Sequence, residues 1–488
     1  MRSSPGSSVL QTPLGAADID EATVGLQARA FLDGRLETFF PAQPYGGTAE
    51  TALVSVSFSI FGVGWFGLKI VPILLHLVAC VVVWRTAIRL TIDRAGALAA
   101  PVILWLGSAF GVRQSIKERG FYGVGIVLAA LVLLLVVRLH AHPQRRDMVL
   151  LGLCGGLCFW SAPILLAGAV PPAAWLLVRR PALVRHVPLA VLGALIGAVP
   201  WLVWNVRNGW ASVGAPNSFG TTWWGRFGDW TERLTTVAGA NTPWETGRAL
   251  IPQPLALIAL VALVALATWR TRARTPGLLV TSVLGFGVIY SFNGLTVAVG
   301  PDPRYLYPLL PVLALVVAAA VSGRSRWLSA TPKVLLVAVV GLAMSTWGLV
   351  GMRDVAERDQ PDPFLASPGL DEAIDLLDDR GVTAAVTDVA GHQITFATDS
   401  EIRASTYGVP RFPDLEREGR GQGSDTYVLR VGHMGGDEQR LETYLQANDI
   451  AYERSRLGAF MVFLLDEPVP PEDVPLTTFL GPVTPLDS

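Results

Sequence analysis

The sequence predicts a mainly α, polytopic membrane helical bundle of about ten spans, with a small C-terminal α/β domain. Three observations carry this expectation. Apolar runs long enough to cross a bilayer recur as far as residue 352. Arginine clusters alternate with them. The composition then changes near residue 362, where charged and apolar residues begin to alternate.

Bulk composition agrees. The chain has 488 residues, 51% of them hydrophobic and only 16% charged, against about a quarter charged in soluble domains. A mean hydropathy of +0.45 over this length requires many apolar segments, not one anchor. A net charge of -1 offers nucleic acid no bulk attraction, so none is expected as a partner. The three cysteines, Cys80, Cys154 and Cys158, lie in apolar runs with no zinc spacing or disulfide framework. Cys154 and Cys158 share one helix face and read as small packing residues.

Single spans are expected at 67–89, 95–111, 121–138, 187–204, 251–269, 276–295, 304–322 and 332–351. The run 148–178 is too long for one span and is broken at Trp160-Ser161-Ala162-Pro163, so it reads as two short helices. Charge supports that split. With ten spans, clusters at Arg85/Arg89/Arg94, Arg138/Arg145/Arg146, Arg179/Arg180/Arg185, Arg270/Arg272/Arg274 and Arg324/Arg326/Lys333 all fall on the cytoplasmic face. Counting 148–178 as one span would invert the later clusters.

Four segments are then expected outside the membrane: 1–66, the turn at 112–120, the loop 205–250, and everything after 352. Nothing before residue 18 resembles an export signal, so either the tail translocates unaided or a first span is expected upstream of this start. Residues 18–34 read as a helix capped by Asp18 or Asp20, ended by Gly34, and striped by Val24, Ala28, Phe31 and Leu32. Such a helix suits the membrane surface. Residues 48–61 are apolar but too short to span, hence interfacial, and Pro41–Gly47 forms a tight loop presenting Tyr45. The loop 205–250, with Trp210, Trp223, Trp224, Trp230 and Trp244, reads as membrane-hugging or as a cover over a bound lipid.

After residue 362 the pattern predicts helices at 370–380 and 437–448 and strands at 382–387, 425–431 and 460–465. The expected domains are an external N-terminal loop (1–66), a transmembrane domain (67–352), an external α/β domain (362–468) and a Pro-rich, extended tail (469–488).

Three polar clusters offer chemistry on the external face. Asp20-Glu21 opens a short helix, where a carboxylate can act as a general base on an acceptor hydroxyl. The plain alternative is an N-cap followed by an acidic first turn. Lys117-Glu118-Arg119-Gly120-Phe121-Tyr122 pairs cations with aromatics and can hold a phosphate, or else is a basic turn between spans. Asp302-Pro303-Arg304-Tyr305 can do the same, or anchor a span. Within the spans only Lys69 and His76 are charge candidates, which disfavours an ion-coupled transporter.

The order of several fragments resembles the bacterial members of the C superfamily of polytopic glycosyltransferases. The branch is the one related to protein O-mannosyltransferases and aminoarabinose transferase (family 39-like). The fragments are Asp20-Glu21 with Ala28-Arg29-Ala30 and Gly34, Gln43-Pro44-Tyr45-Gly46-Gly47 with Glu50, and Phe61-Gly62. They continue with Lys117 to Tyr122, Gly156-Leu157 with Trp160 and Pro163, Pro200 with Asn205, and Arg304-Tyr305-Leu306 with Pro308 and Pro311. The resemblance implies a plasma (inner) membrane enzyme that moves a sugar from a polyprenyl-phosphate donor to an extracytoplasmic lipid, glycan or protein hydroxyl, with inversion. It implies Asp20 as catalytic base with Glu21 beside it. Lys117, Arg119 and Arg304 would meet the donor phosphate, and Tyr45, Tyr122 and Tyr305 would line the donor cavity. His392-Gln393-Ile394-Thr395-Phe396 followed by Glu401 resembles a recurrent stretch of the family's external domain. Some related enzymes need a divalent cation and others do not, so a metal stays open. The family has a span before its Asp-Glu loop, which again places an eleventh helix upstream. Competing readings are a flippase of lipid-linked sugar and a non-catalytic assembly subunit.

Overall fold

A computed structural model describes residues 14–90, 92–213, 221–242, 249–294, 302–322, 330–358, 361–362, 365–408, 410–422, 424–478 and 481–482. Two short helices come first, α1 (Ile19–Leu32) and α2 (Ala49–Phe61). The bundle follows with α3 (Trp65–Arg89), α4 (Arg94–Leu106), α5 (Ala109–Gln114), α6 (Tyr122–Ala141), α7 (Arg145–Ser161), α8 (Leu166–Arg179), α9 (Val187–Gly197) and α10 (Val199–Arg207). It closes with α11 (Trp223–Val237), α12 (Gln253–Thr271), α13 (Leu278–Tyr290), α14 (Leu310–Val321) and α15 (Ala330–Ala356).

Among the described residues five helical stretches are long and apolar enough to cross a membrane, or six if the bent pair Pro181–Gly197 and Val199–Arg207 counts as one. The protein is therefore a multi-pass membrane protein. Burial ranks these helices. The stretch Arg304–Val321 is 89% buried and forms the centre of the bundle, whereas Thr331–Ala356 is 22% buried and Gln253–Thr271 is 28% buried, leaving most of their apolar surface outward. The central stretch begins as a 3-10 turn, Arg304–Leu309, because Pro308 and Pro311 cannot donate main-chain hydrogen bonds there.

Three expected spans differ in detail. The segment 95–111 ends its helix at Leu106 and restarts at Ala109, capped by Ser108. Among the described residues of 276–295 the α-helix spans Leu278–Tyr290, and 187–204 bends by 61°. The break at Ser161–Pro163 lies where the sequence put it.

Small residues set the closest helix contact. On α7, Gly152 and Gly156 face Ala190 and Ala194 of α9, while Gly193 and Gly197 of α9 face Val149 and Leu153. These two four-residue glycine spacings let the backbones touch, which drives helix association in lipid. A Cβ on Gly193 would lie 2.0 Å from the Val149 carbonyl oxygen, an atom that cannot move aside. Gly193→Leu is therefore expected to lower the unfolding temperature in detergent, through overpacking of about 1–3 kcal/mol or more. Gly155→Leu, with nothing within 4 Å, serves as the neutral control. Equal midpoints for the two variants would refute this packing. Cys154 and Cys158 are buried in the same helix as packing residues.

The C-terminal region is an α/β domain. Its sheet has five strands, β1 (Ala384–Thr387), β2 (Arg403–Thr406), β3 (Thr426–Arg430), β4 (Tyr452–Leu457) and β5 (Phe460–Leu465), in the order β2-β1-β3-β5-β4. β1 runs parallel to β2 and β3, while β5 runs antiparallel to β3 and β4. Helices α16 (Leu370–Asp379), α17 (Gly391–Ala397), α18 (Pro413–Gln422) and α19 (Asp437–Ala447) complete it. Both unexpected strands, β2 and β4, form sheet edges, and β4 (Tyr-Glu-Arg-Ser-Arg-Leu) is mostly polar, so it lacks an apolar strand signal. The Pro-rich tail is not free up to Thr478. Val469, Val474 and Leu476 are buried against the sheet, and Asp437 accepts from the Thr477 main-chain nitrogen at 3.1 Å.

Candidate active site

The site begins with the capping of α1. Asp18 is the N-cap: its carboxylate accepts from the Glu21 main chain at 3.0 Å, and Glu21 accepts in return from the Asp18 main chain at 3.2 Å. This reciprocal capping box leaves Asp20, at the second helical position, with no capping duty. The helix does not lie on a membrane surface, as its sequence suggested. Ile19, Asp20, Glu21, Ala22, Thr23, Val24, Gly25, Gln27 and Ala28 are all buried. The physical reason is cover from both sides, by the bundle beneath and by α17 of the C-terminal domain above.

Glu21 lies at the centre of a buried ionic network. It accepts from Lys69 at 2.6 Å, from Lys117 at 2.8 Å and from the Glu118 main chain at 3.1 Å. Arg119 donates to Asp18 at 2.6 and 2.9 Å and to Asp302 at 2.6 Å. Arg304 donates to Asp20 at 2.8 Å and lies 3.4 Å from Asp302. The three polar clusters read separately in the sequence thus form one network. Burial alone would raise the Asp18 carboxyl, but Arg119 first, then Lys117 and Arg113, hold it well below the usual carboxylate range. Burial lowers Lys117 to about 8, against the pull of Glu21 and Asp18.

Exposure separates the members. The side chains of Glu21, Lys117 and Arg119 are 0% exposed, and those of Asp18 and Asp302 are 2% exposed, whereas Asp20 is 12% exposed. Lys117 and Arg119 are neither a basic turn at the membrane surface nor side chains that reach open space; their donors face inward to carboxylates. Arg304 is 6% exposed, beside Asp20.

Aromatic residues line the Asp20 side. Tyr45 lies within electrostatic reach of Arg411, Asp20 and Arg304; burial raises its phenol. The rings of Tyr122 and Tyr305 are 6.1 Å apart. Both lie within electrostatic reach of Arg304 and Asp20. All three tyrosines singled out in the sequence are therefore together.

The C-terminal domain supplies residues that sequence reasoning missed. Arg411 donates to Asp20 Oδ1 at 3.1 Å and to Thr23 at 3.4 Å, with its guanidinium 4.8 Å above the Phe40 ring. Nothing near Arg411 in the sequence signals this, because its partners are 388 and 391 residues away. The stretch His392–Phe396 is the docking element. His392 lies 3.4 Å from the Thr23 hydroxyl, Gln393 donates to the Ala17 carbonyl at 2.7 Å, and Phe396 packs on Trp65 and Gly25. Lys69, read as a charge within a span, occupies the first turns of α3 and belongs to the network instead. His76 makes a 2.7 Å hydrogen bond with Tyr307.

Behind the network lies a second acidic pair. Glu50 accepts from the Val124 main chain at 2.8 Å, at the amino end of α6, where the helix favours negative charge. Glu118 accepts from the Gly120 main chain at 3.2 Å. Glu50 and Glu118 lie within electrostatic reach of each other, so their titrations are linked. Burial first, then mutual repulsion, raises Glu118 well above its ordinary value, and burial raises Glu50 to about 7. A raised carboxyl costs stability as pH climbs from its unfolded value to its folded one, here from about 4.5 to about 7. Thermal midpoints of the wild type should fall across that window, and Glu118→Gln should flatten the decline. A wild-type and variant difference that is constant across the window would refute the linked titration of this pair.

Among the described residues no three His, Cys, Asp or Glu side chains group as a cation site. The network carboxylates are paired with lysine and arginine, which a divalent cation would have to displace. This donor set does not fit a divalent cation.

Residues 50–204 match the family model for dolichyl-phosphate-mannose-protein mannosyltransferase. No curated protein sequence matches the chain significantly. Two solved structures of ArnT from Cupriavidus metallidurans match its fold with a TM-score of 0.61 and 13% identity. One, in the apo state, is covered over 93% of its length and the other, bound to undecaprenyl phosphate, over 95%, each by 92% of this chain. Family model and fold both agree with the resemblance read from the motifs.

Proposed function

We propose, from a chain with the ArnT fold, that it is a membrane glycosyltransferase using a polyprenyl-phosphate-linked sugar. The observation that carries this reading is the presentation of Asp20. Of the four carboxylates in the network, it alone has appreciable exposure, and it lies between an arginine that can meet a phosphate and a cluster of tyrosines. The match to an ArnT structure bound to undecaprenyl phosphate supports a lipid-phosphate donor.

The acceptor hydroxyl approaches Asp20, which takes its proton as the acceptor oxygen bonds to the sugar C1. The bond from C1 to the phosphate oxygen breaks on the opposite face, so the configuration inverts and the electron pair leaves on polyprenyl phosphate. Arg304 stabilises that departing charge. Lys117 and Arg119 act one layer behind, fixing Asp18, Glu21 and Asp302 and through them α1 and Arg304. Tyr45, Tyr122 and Tyr305 form the wall against which the donor headgroup rests. The site and the C-terminal domain face the extracytoplasmic side, by the arginine distribution.

The test is transfer by the purified protein in liposomes, with a labelled polyprenyl-phosphate sugar and extracts of envelope lipid, glycan and protein as acceptors. Label is expected to leave the donor and appear in one acceptor class. Movement of intact donor across the bilayer without transfer would overturn the reading in favour of a flippase.

A further inference from the structure

We infer that Arg411, delivered by the C-terminal domain, is a ligand of the donor phosphate, and that it leaves Asp20 when that phosphate binds. The inference rests on the proposed lipid-phosphate donor and concerns how the same site is completed.

Three observations carry it. The first is incomplete use of a buried arginine. The Arg411 side chain is 6% exposed, and its Nη2 meets Asp20 and its Nη1 meets Thr23, but its Nε is buried with no hydrogen-bond partner. The Nε–Nη2 edge is the one that grips two oxygens of a phosphate side by side. Here that edge holds one carboxylate oxygen and has one donor to spare.

The second is charge. Among the described residues, ion pairs join Lys69, Lys117, Arg119, Arg304 and Arg411 to four carboxylates, Asp18, Asp20, Glu21 and Asp302. Asp20 is shared by two arginines, so this buried cluster favours one more anion. The third is the state of Asp20. Its Oδ1 is held by Arg411 and its Oδ2 by Arg304, so both oxygens are occupied by cations. A general base needs an oxygen free to receive a proton. Transfer of Arg411 to the phosphate supplies the missing anion contact and frees Oδ1 in one movement. Donor binding would then switch on the base, and a site without donor would stay inactive.

The experiment compares full-length wild type, Arg411→Gln and Arg411→Lys in nanodiscs. Binding of polyprenyl phosphate, the common product, is measured directly, alongside the donor KM and kcat. Loss of a charge-assisted contact is expected to weaken polyprenyl-phosphate binding about 10- to 100-fold in Arg411→Gln, with a matching rise in donor KM. Arg411→Lys, which keeps the charge but not the two-pronged edge, is expected to recover only part of that loss. Where Arg411→Gln does not fold, the weakening in Arg411→Lys decides. Unchanged polyprenyl-phosphate binding in the folded variants overturns the inference, as does a loss confined to kcat. If wild type neither binds polyprenyl phosphate nor transfers sugar, the parent reading fails instead, which is a distinct result.

Discussion

Asp20→Asn is expected to lower the rate of sugar transfer about 100- to 10,000-fold, the usual range for removing a general base. The change is nearly isosteric. Asparagine keeps an oxygen that can accept from Arg304 or Arg411 but cannot take up the acceptor's proton. Asp20 also has no part in the capping box, so α1 loses no helix-start hydrogen bond. The thermal midpoint is expected to fall, because Arg304 and Arg411 lose a buried charged partner, but less than in a variant that deletes the side chain, since the amide oxygen still accepts from one arginine, and polyprenyl-phosphate binding should persist. The measurement is turnover of a labelled polyprenyl-phosphate sugar at saturating acceptor, together with the midpoint. Turnover within a few-fold of wild type would remove Asp20 from the mechanism.

Glu21, its immediate neighbour, should behave in the opposite way. Glu21→Ala removes the carboxylate that receives both Lys69 and Lys117 and strands two buried ammonium groups. Breaking a buried pair from one side costs about 3–5 kcal/mol. Against a net stability of about 5–15 kcal/mol, that is enough to deplete folded protein in the membrane. The expected result is low accumulation and a depressed midpoint, with any surviving folded protein keeping much of its turnover per molecule. Adding Lys69→Met should restore part of the midpoint, because the two changes are coupled through one contact. A Glu21→Ala protein of normal stability and no turnover would make Glu21 a catalytic residue, the role its position beside Asp20 suggested in the sequence.

The contrast between these neighbours marks the limit of sequence reading here. The bundle was legible because hydropathy, arginine placement and proline breaks are local properties that each segment carries alone. The division of 148–178, the three central strands of the C-terminal sheet and two of its helices followed from such signals. Edge strand β4 did not, because a solvent-facing edge needs no apolar alternation. The burial of α1 was not legible either. Its sequence matches a surface helix until the domain that covers it is in place.

The sequence by itself determined which chemistry was available: an acidic helix start, a lysine–arginine turn and an Arg-Tyr pair ahead of a span. The tertiary structure decided how the charges were divided. Asp18 and Glu21 face each other in a capping box and take Lys69, Lys117 and Arg119 inward, while Asp20 turns toward Arg304, Arg411 and the tyrosines. It also brought in Arg411, a partner 391 residues away in the chain. The reason is physical. Helix geometry sends residues one and two apart in different directions, and buried charges are stable only where distant segments supply the opposite charge.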